Sequence, residues 1–157
     1  MREEVFIAGF GGQGIVLAGE ILAKAAMLNG NYAVLTKFYG AEVRGGPVGS
    51  GVIISDKPIS FQFVRKPYVI IALHELGLRV HAPKETQILV ADDYLIKQIS
   101  ISAQKIIRLP ILKTAEKAGV GKYLNIVALG VYPFFSKLVS LRSLEEAIEK
   151  SIRKKYL

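Results

Sequence analysis

The chain has 157 residues, 51% of them from AVILMFWYC, a formal net charge of +8 and no cysteine, so it fits one domain and excludes disulfides, thiolate nucleophiles and cysteine-held iron–sulfur clusters of its own. Its longest apolar run, Ile126 to Phe135, is too short to span a membrane and contains Gly130 and Pro133. Gly9 to Gly14 interrupt any N-terminal apolar stretch that a secretory signal would use.

Val5 to Ala8 predicts a short apolar strand, followed by Gly9-Phe10-Gly11-Gly12-Gln13-Gly14 and a helix from about Ile15 to Leu28. Gly9, Gly11 and Gly14 fit the spacing G-x-G-x-x-G, in which missing side chains let backbone N–H groups approach an anion or another backbone. The helix is apolar on nearly every side, with Glu20 and Lys24 as its one solvated edge, so it is expected to be buried. Asn29-Gly30-Asn31 ends it and Tyr32 to Thr36 reads as a second strand, the β-loop-helix-β opening of an α/β fold. Phe38 to Pro47 is Gly-rich and carries Glu42 and Arg44, which point the same way on an extended segment and can pair with each other or with a partner.

Gly51 to Ser55 and Ile59 to Val64 flank Asp56-Lys57-Pro58 and predict a hairpin, hence a mixed sheet. Tyr68 to Leu73 and Gln87 to Ala91 read as strands buried on both faces, with a short helix from His74 to about Val80 between them. Lys105 to Leu109 is a last strand, Pro110 to Ala118 a helix, and Tyr123 to about Leu138 a helix that Pro133 kinks or divides. Ser143-Leu144-Glu145-Glu146 reads as a capping box for a final helix, whose packing face is Leu144, Ala147, Ile148, Ser151 and Ile152. Lys150, Arg153, Lys154 and Lys155 gather at its end, where they complement the helix dipole. The fold class expected from these elements is a three-layer α/β/α Rossmann-like domain, 1–157, with a mostly parallel, mixed sheet.

Candidate chemistry is sparse. A dinucleotide site wants an acidic residue roughly 20 residues beyond the glycines, and Thr36 and Lys37 stand there instead. His74 and His81 lack further ligands at matching spacing, and Asp92-Asp93 suits helix capping better than Mg²⁺. No Ser-His-Asp, Cys-His or paired-carboxylate set stands out, so no catalytic residue is assigned. The positive charge points to acidic partners or anionic ligands. Nucleic acid is disfavoured because the aromatics fall in apolar strands and helices. The excess of apolar residues implies surface meant for a partner.

Gly9-Phe10-Gly11-Gly12-Gln13-Gly14-Ile15 followed by Tyr39-Gly40-Ala41-Glu42-Val43-Arg44-Gly45-Gly46 resembles the gamma subunit, or gamma domain, of the 2-oxoacid:ferredoxin oxidoreductases. Ser55-Asp56-Lys57-Pro58-Ile59 and Asn125-Ile126-Val127-Ala128-Leu129-Gly130 agree, and the likeness spans essentially the whole chain. The family usually has proline at the Ala41 position. The resemblance implies a cytoplasmic complex that decarboxylates a 2-oxo acid on thiamine pyrophosphate, passes electrons through [4Fe–4S] clusters to ferredoxin and transfers the acyl group to coenzyme A. It also implies that thiamine pyrophosphate and the clusters are held by other parts, alpha and beta subunits with delta as an optional member. This chain would be an accessory subunit that packs on the catalytic ones, contributes to coenzyme A access, and can pair with itself when isolated.

On that resemblance Gly11, Gly12, Gln13 and Gly14 would admit a cofactor or a neighbouring subunit. Tyr39, Glu42 and Arg44, with Gly45 and Gly46, would supply directional contacts, Arg44 being able to clamp a carboxylate or phosphate. Phe10 leans the substrate towards 2-oxoglutarate rather than pyruvate. A free-standing nucleotide- or coenzyme A-binding module is the alternative use of the same loop.

Overall fold

Six apolar runs become the strands of one sheet in the computed structural model, which describes residues 1–40 and 45–156, the last four by backbone alone. The strands are β1 (Arg2–Phe10), β2 (Tyr32–Tyr39), β3 (Pro47–Ser55), β4 (Val69–Ala72), β5 (Glu85–Asp92) and β6 (Ser102–Leu109). Their order is β2-β3-β1-β4-β5-β6. The β1–β4, β4–β5 and β5–β6 pairs are parallel, while β3 runs antiparallel to both β1 and β2. The sheet is therefore mixed and mostly parallel, as expected, but its antiparallel strand, which includes Gly51–Ser55, pairs with β1 and β2 and not with residues 59–64.

The hairpin expected between Gly51–Ser55 and Ile59–Val64 does not form. β3 begins earlier, at Pro47, and pairs with β2 from Tyr32↔Ser55 to Tyr39↔Val48. Residues 59–64 instead form an irregular strap across the sheet. Its path is fixed by side chains reaching for its backbone: Thr36 Oγ1 donates to the Gln62 carbonyl (3.1 Å) and Arg2 Nη2 to the Phe61 carbonyl (3.1 Å). The glycines of β3 explain the misreading. A Cβ at Gly49 would come within 2.4 Å of Phe6 Cζ and one at Gly51 within 2.9 Å of Val64 Cγ2, so the strand is Gly-rich because neighbours lie on its face.

Helices cover the two faces unequally. On one lie α1 (Ile15–Leu28), α3 (Ile111–Lys117), α4 (Leu124–Leu129) and α5 (Leu141–Tyr156), over Val5, Ile7, Val52, Ile54, Val69, Ile71 and Val90. The other face, Phe6, Ala8, Ile70, Ala72, Leu89 and Ala91, is covered by α2 (Glu75–Val80) through Leu78 and by Ala82 and Ile96. Alternation of these two sets along each strand is the period-2 pattern of a sheet buried on both sides. No helix among the described residues is long and apolar enough to cross a membrane.

Pro133 divides the stretch after Tyr123 as expected: α4 stops at Leu129, a 3₁₀ turn spans Tyr132–Phe134, and the chain continues without regular structure to α5. A buried carboxylate holds this stretch. Glu3 Oε1 accepts from Tyr132 Oη (2.7 Å) and Ser136 Oγ (2.6 Å), and Oε2 accepts from the Lys137 N–H (2.8 Å). Burial pushes the Tyr132 phenol well above its usual value, with the Glu3 charge adding to it, so it stays a donor. The capping box sits one turn earlier than predicted. Ser140 Oγ accepts from the Ser143 N–H (3.0 Å) and Ser143 Oγ from the Ser140 N–H (3.2 Å), so Ser143 is the third residue of the helix rather than its cap.

Candidate functional site

The glycine loop lies at the C-terminal end of β1, where the strand gives way to α1. Gly14 is the N-cap of α1 at φ 72°, a left-handed conformation that an L side chain disfavours. Among the described residues no side chain caps that helix, and its first turn holds no acidic residue, so no described carboxylate there offsets the positive end of a 14-residue helix. Gly12, at φ 93°, has open space where a Cβ would project.

Much of the motif is spent on packing. Gln13 Oε1 accepts from the Phe10 N–H (2.9 Å) and Gln13 Nε2 donates to the Leu73 carbonyl (3.1 Å), tying the ends of β1 and β4 together. Gly9 lies against α2: a Cβ on Gly77 would be 2.3 Å from the Gly9 carbonyl oxygen. Gly11 meets the second glycine segment, its N–H donating to the Gly46 carbonyl (2.8 Å), and a Cβ on it would be 3.1 Å from Gly45 Cα. The two motifs read separately from the sequence are therefore in direct contact.

Tyr39, the last residue of β2, is 60% exposed and aligns through Val48 with Gly9, two strand spacings or about 10 Å away. It thus shares one end of the sheet with the glycine loop. Glu42 and Arg44 lie outside the described residues. Lys37 pairs with Glu20 (3.6 Å) on the surface. The insertion of β3 moves the end of β2 one strand further from the loop than a dinucleotide-binding crossover would have it, which disfavours NAD(P) independently of the missing acid.

A cleft of about 150 Å³ opens beside the start of α1, its mouth at Gly12, Gly14, Lys122 and Asn125 and the rest of its lining largely apolar, with Leu17, Ile21, Ile126 and Ile152. Asn125, only 4% exposed, donates from Nδ2 to the Gly14 carbonyl (3.0 Å). Lys122 brings a positive charge to the rim. Sequence reasoning assigned neither residue a role. An asparagine among the apolar residues of α4 was the available signal, because an amide in such a setting needs partners.

The remaining polar candidates serve the scaffold. His74 is the N-cap of α2, Nδ1 accepting from the Leu76 N–H (3.1 Å), and its ring lies 4.6 Å from that of Phe10. Burial lowers its pKa below the usual histidine value, partly opposed by Glu75. His81 closes the same helix and hydrogen-bonds through Nε2 with the Pro47 carbonyl (3.0 Å). Asp92 Oδ2 accepts from the Tyr94 and Leu95 N–H groups and Oδ1 from that of Leu112, so it caps two turns at once.

Residues 4–156 match the family model described as pyruvate ferredoxin/flavodoxin oxidoreductase. The chain belongs to this family. It is similar to the 2-oxoglutarate synthase subunit KorC of Methanothermobacter marburgensis, 40% identical over 97% of this chain and 87% of that one. Similarity to the pyruvate synthase subunit PorC of the same organism is 44% but reaches only 43% of this chain and 40% of the other. Among solved structures, the keto/oxoacid ferredoxin oxidoreductase gamma subunit of Geobacter sulfurreducens superposes with a TM-score of 0.79 at 33% identity, covering 94% of this chain and 83% of that one. This family member is a gamma subunit of the 2-oxoacid:ferredoxin oxidoreductase type, part of an oxidoreductase complex.

Proposed function

We propose that this gamma subunit serves a complex that converts 2-oxoglutarate, coenzyme A and an oxidised ferredoxin to a coenzyme A thioester, carbon dioxide and reduced ferredoxin in the cytoplasm. The observation that carries the substrate is the sequence likeness, which covers 97% of the chain with a 2-oxoglutarate synthase subunit and 43% of it with a pyruvate synthase subunit. Phe10 in the glycine motif leans the same way.

The catalytic work falls to alpha and beta subunits. Thiamine pyrophosphate, held there, supplies the electron sink for decarboxylation. Iron–sulfur clusters require thiolates that this chain does not possess. What residues 1–157 contribute is positioning, as one gamma-type domain. The uncapped end of α1, the open space before Gly12 and the charge of Lys122 suit a phosphate-sized anion. At about 150 Å³ the cleft is below the ~300–1,000 Å³ usual for a whole small-molecule site. A phosphate group of coenzyme A would therefore rest here while the rest of the molecule lay across another subunit. Arg44, close behind Tyr39 in sequence, would clamp a carboxylate or phosphate of the same ligand or partner.

The test is to purify the tagged chain from its native cells with whatever accompanies it and to measure dye reduction with a panel of 2-oxo acids. Alpha and beta partners with coenzyme A-dependent activity greatest on 2-oxoglutarate are expected. Activity greatest on pyruvate would overturn the substrate. A chain that came out alone yet bound coenzyme A would replace the subunit reading with that of a binding module. Lys122→Ala and Arg44→Ala should raise the KM for coenzyme A without preventing assembly, and unchanged kinetics in both would remove their roles.

A further inference from the structure

The strap between β3 and β4 exposes aromatic surface at the end of the sheet away from the glycine loop. Phe63 is 59% and Phe61 37% exposed, their rings 5.9 Å apart and edge to face. The Arg65 guanidinium lies 3.5 Å from the centre of the Phe61 ring. Around them stand Arg2, Lys66 and Glu4, bounding a cleft of about 310 Å³.

Glu4 does not neutralise this cluster outward, because its carboxylate is already engaged. Oε1 accepts from the Arg65 N–H (2.7 Å) and the Lys66 N–H (3.2 Å), and Oε2 meets Arg2 Nε (3.1 Å). Among the described residues the side chains of Arg65 and Lys66 make no hydrogen bond or ion pair with a carboxylate. Among the described residues lining this cleft, three cations stand against one internally committed anion, beside two rings. Holding an irregular segment in one conformation costs conformational entropy. Here that order leaves Phe63 largely and Phe61 partly in solvent, while Val64 packs over Gly51. Aromatic residues and arginine are the types enriched where interfaces bind most strongly.

We propose that this strap is a docking surface for another subunit of the same complex, one whose contact face carries carboxylates around an apolar anchor. The inference rests on the reading of the chain as one member of a multi-subunit enzyme, and it adds which face is covered and by what chemistry. The surface is distinct from the glycine cleft, because Arg2 and Phe10 lie at opposite ends of β1, about 26 Å apart at ~3.3 Å per residue. One subunit could therefore grip the strap without obstructing the cleft.

The test uses the full chain co-expressed with its partner subunits, with the affinity of the assembly measured at low and high salt. The double variant Phe61→Ser/Phe63→Ser and the single Arg65→Glu should each weaken assembly about tenfold or more. Arg65→Lys, which keeps the charge, should weaken it less, and high salt should weaken the wild type more than Arg65→Glu. Thermal stability of the isolated variants should stay close to wild type because the altered side chains are exposed. Wild-type affinity in both the double variant and Arg65→Glu overturns the strap and leaves the subunit reading intact. A change only in self-association, or loss only of binding to a single-stranded oligonucleotide, overturns it in favour of a second copy or nucleic acid. If wild type joins no partner subunit, both readings fall together.

Discussion

Replacing Gly77 with alanine asks whether α2 is seated against the backbone of β1 as tightly as the structure has it. The new methyl carbon would lie 2.3 Å from the Gly9 carbonyl oxygen and 2.5 Å from the Gly9 nitrogen. Ordinary contact is near 3.4 Å, so the helix must retreat by about 1 Å, and the obstructing atoms belong to a central strand that has no rotamer to change. Overpacking of this kind costs about 1–3 kcal/mol, and a backbone obstacle puts Gly77→Ala at the top of that range, about 3 kcal/mol. Retreat would also loosen Leu78, which is fully buried on the thinner side of the sheet. For a chain of this size the midpoint of thermal unfolding should drop by ~6–12 °C. The control is Gly121→Ala, whose added carbon would touch only Glu116 at 3.5 Å, an ordinary contact, and which should stay within about 1 kcal/mol of wild type. Thermal or urea unfolding of the purified chain reads both. A Gly77→Ala chain within 0.5 kcal/mol of wild type, or an equal loss from Gly121→Ala, would refute the packing argument.

Gly14→Ala should destabilise by about 2–3 kcal/mol, since it places a side chain at φ 72° and brings its Cβ within 2.4 Å of Asn125 Nδ2; equilibrium unfolding checks it. Ser140→Ala should lose about 1 kcal/mol as a true N-cap, whereas Glu146→Ala, removing only an exposed pair with Lys150, should lose less than ~0.5, and urea titration of the two separates the cap from the motif that the sequence suggested. His74 has a folded pKa below its unfolded value, so its contribution is complete above about pH 6.5 and is lost as pH falls through the window beneath it, because the unfolded chain then binds the extra proton. Unfolding midpoints between pH 7 and 5 should therefore fall, and His74→Asn, which can cap without titrating, should flatten that dependence.

The parallel half of the sheet was legible because its strands are buried on both faces and so read as unbroken apolar runs, as in Val69–Ala72 and Leu89–Ala91. β3 was legible only from Gly51 to Ser55, since its first half, Pro47-Val48-Gly49-Ser50, looks like a loop until Phe6 is seen lying on Gly49. Ile59, Phe61 and Phe63 alternate as a strand would, and only the tertiary bonds to Arg2, Thr36 and Glu4 make that segment a strap. In the candidate site the glycine motif was found at once, but its division of labour was hidden. Gln13 looked available and is consumed between two strands, while Asn125 and Lys122, over a hundred residues away in sequence, complete the cleft. Spacing along a chain reports loops that turn, and the partners of those loops are set by packing.

The strand order also bears on how the chain is made. Synthesis delivers β1, α1, β2 and β3 within the first 55 residues, and these already lie side by side. β4, β5 and β6 then each join the edge left by the previous strand of the parallel half, so the sheet can grow outward as the ribosome extends it. At the intermediate stage β4 is the growing edge, four fully buried apolar residues with no charge to discourage a wrong partner. Closure comes last, when α5 settles against α1 and the final helix covers the first. Until it does, a nascent chain displays the apolar face of α1, and this is the interval in which a chaperone would have the most to bind.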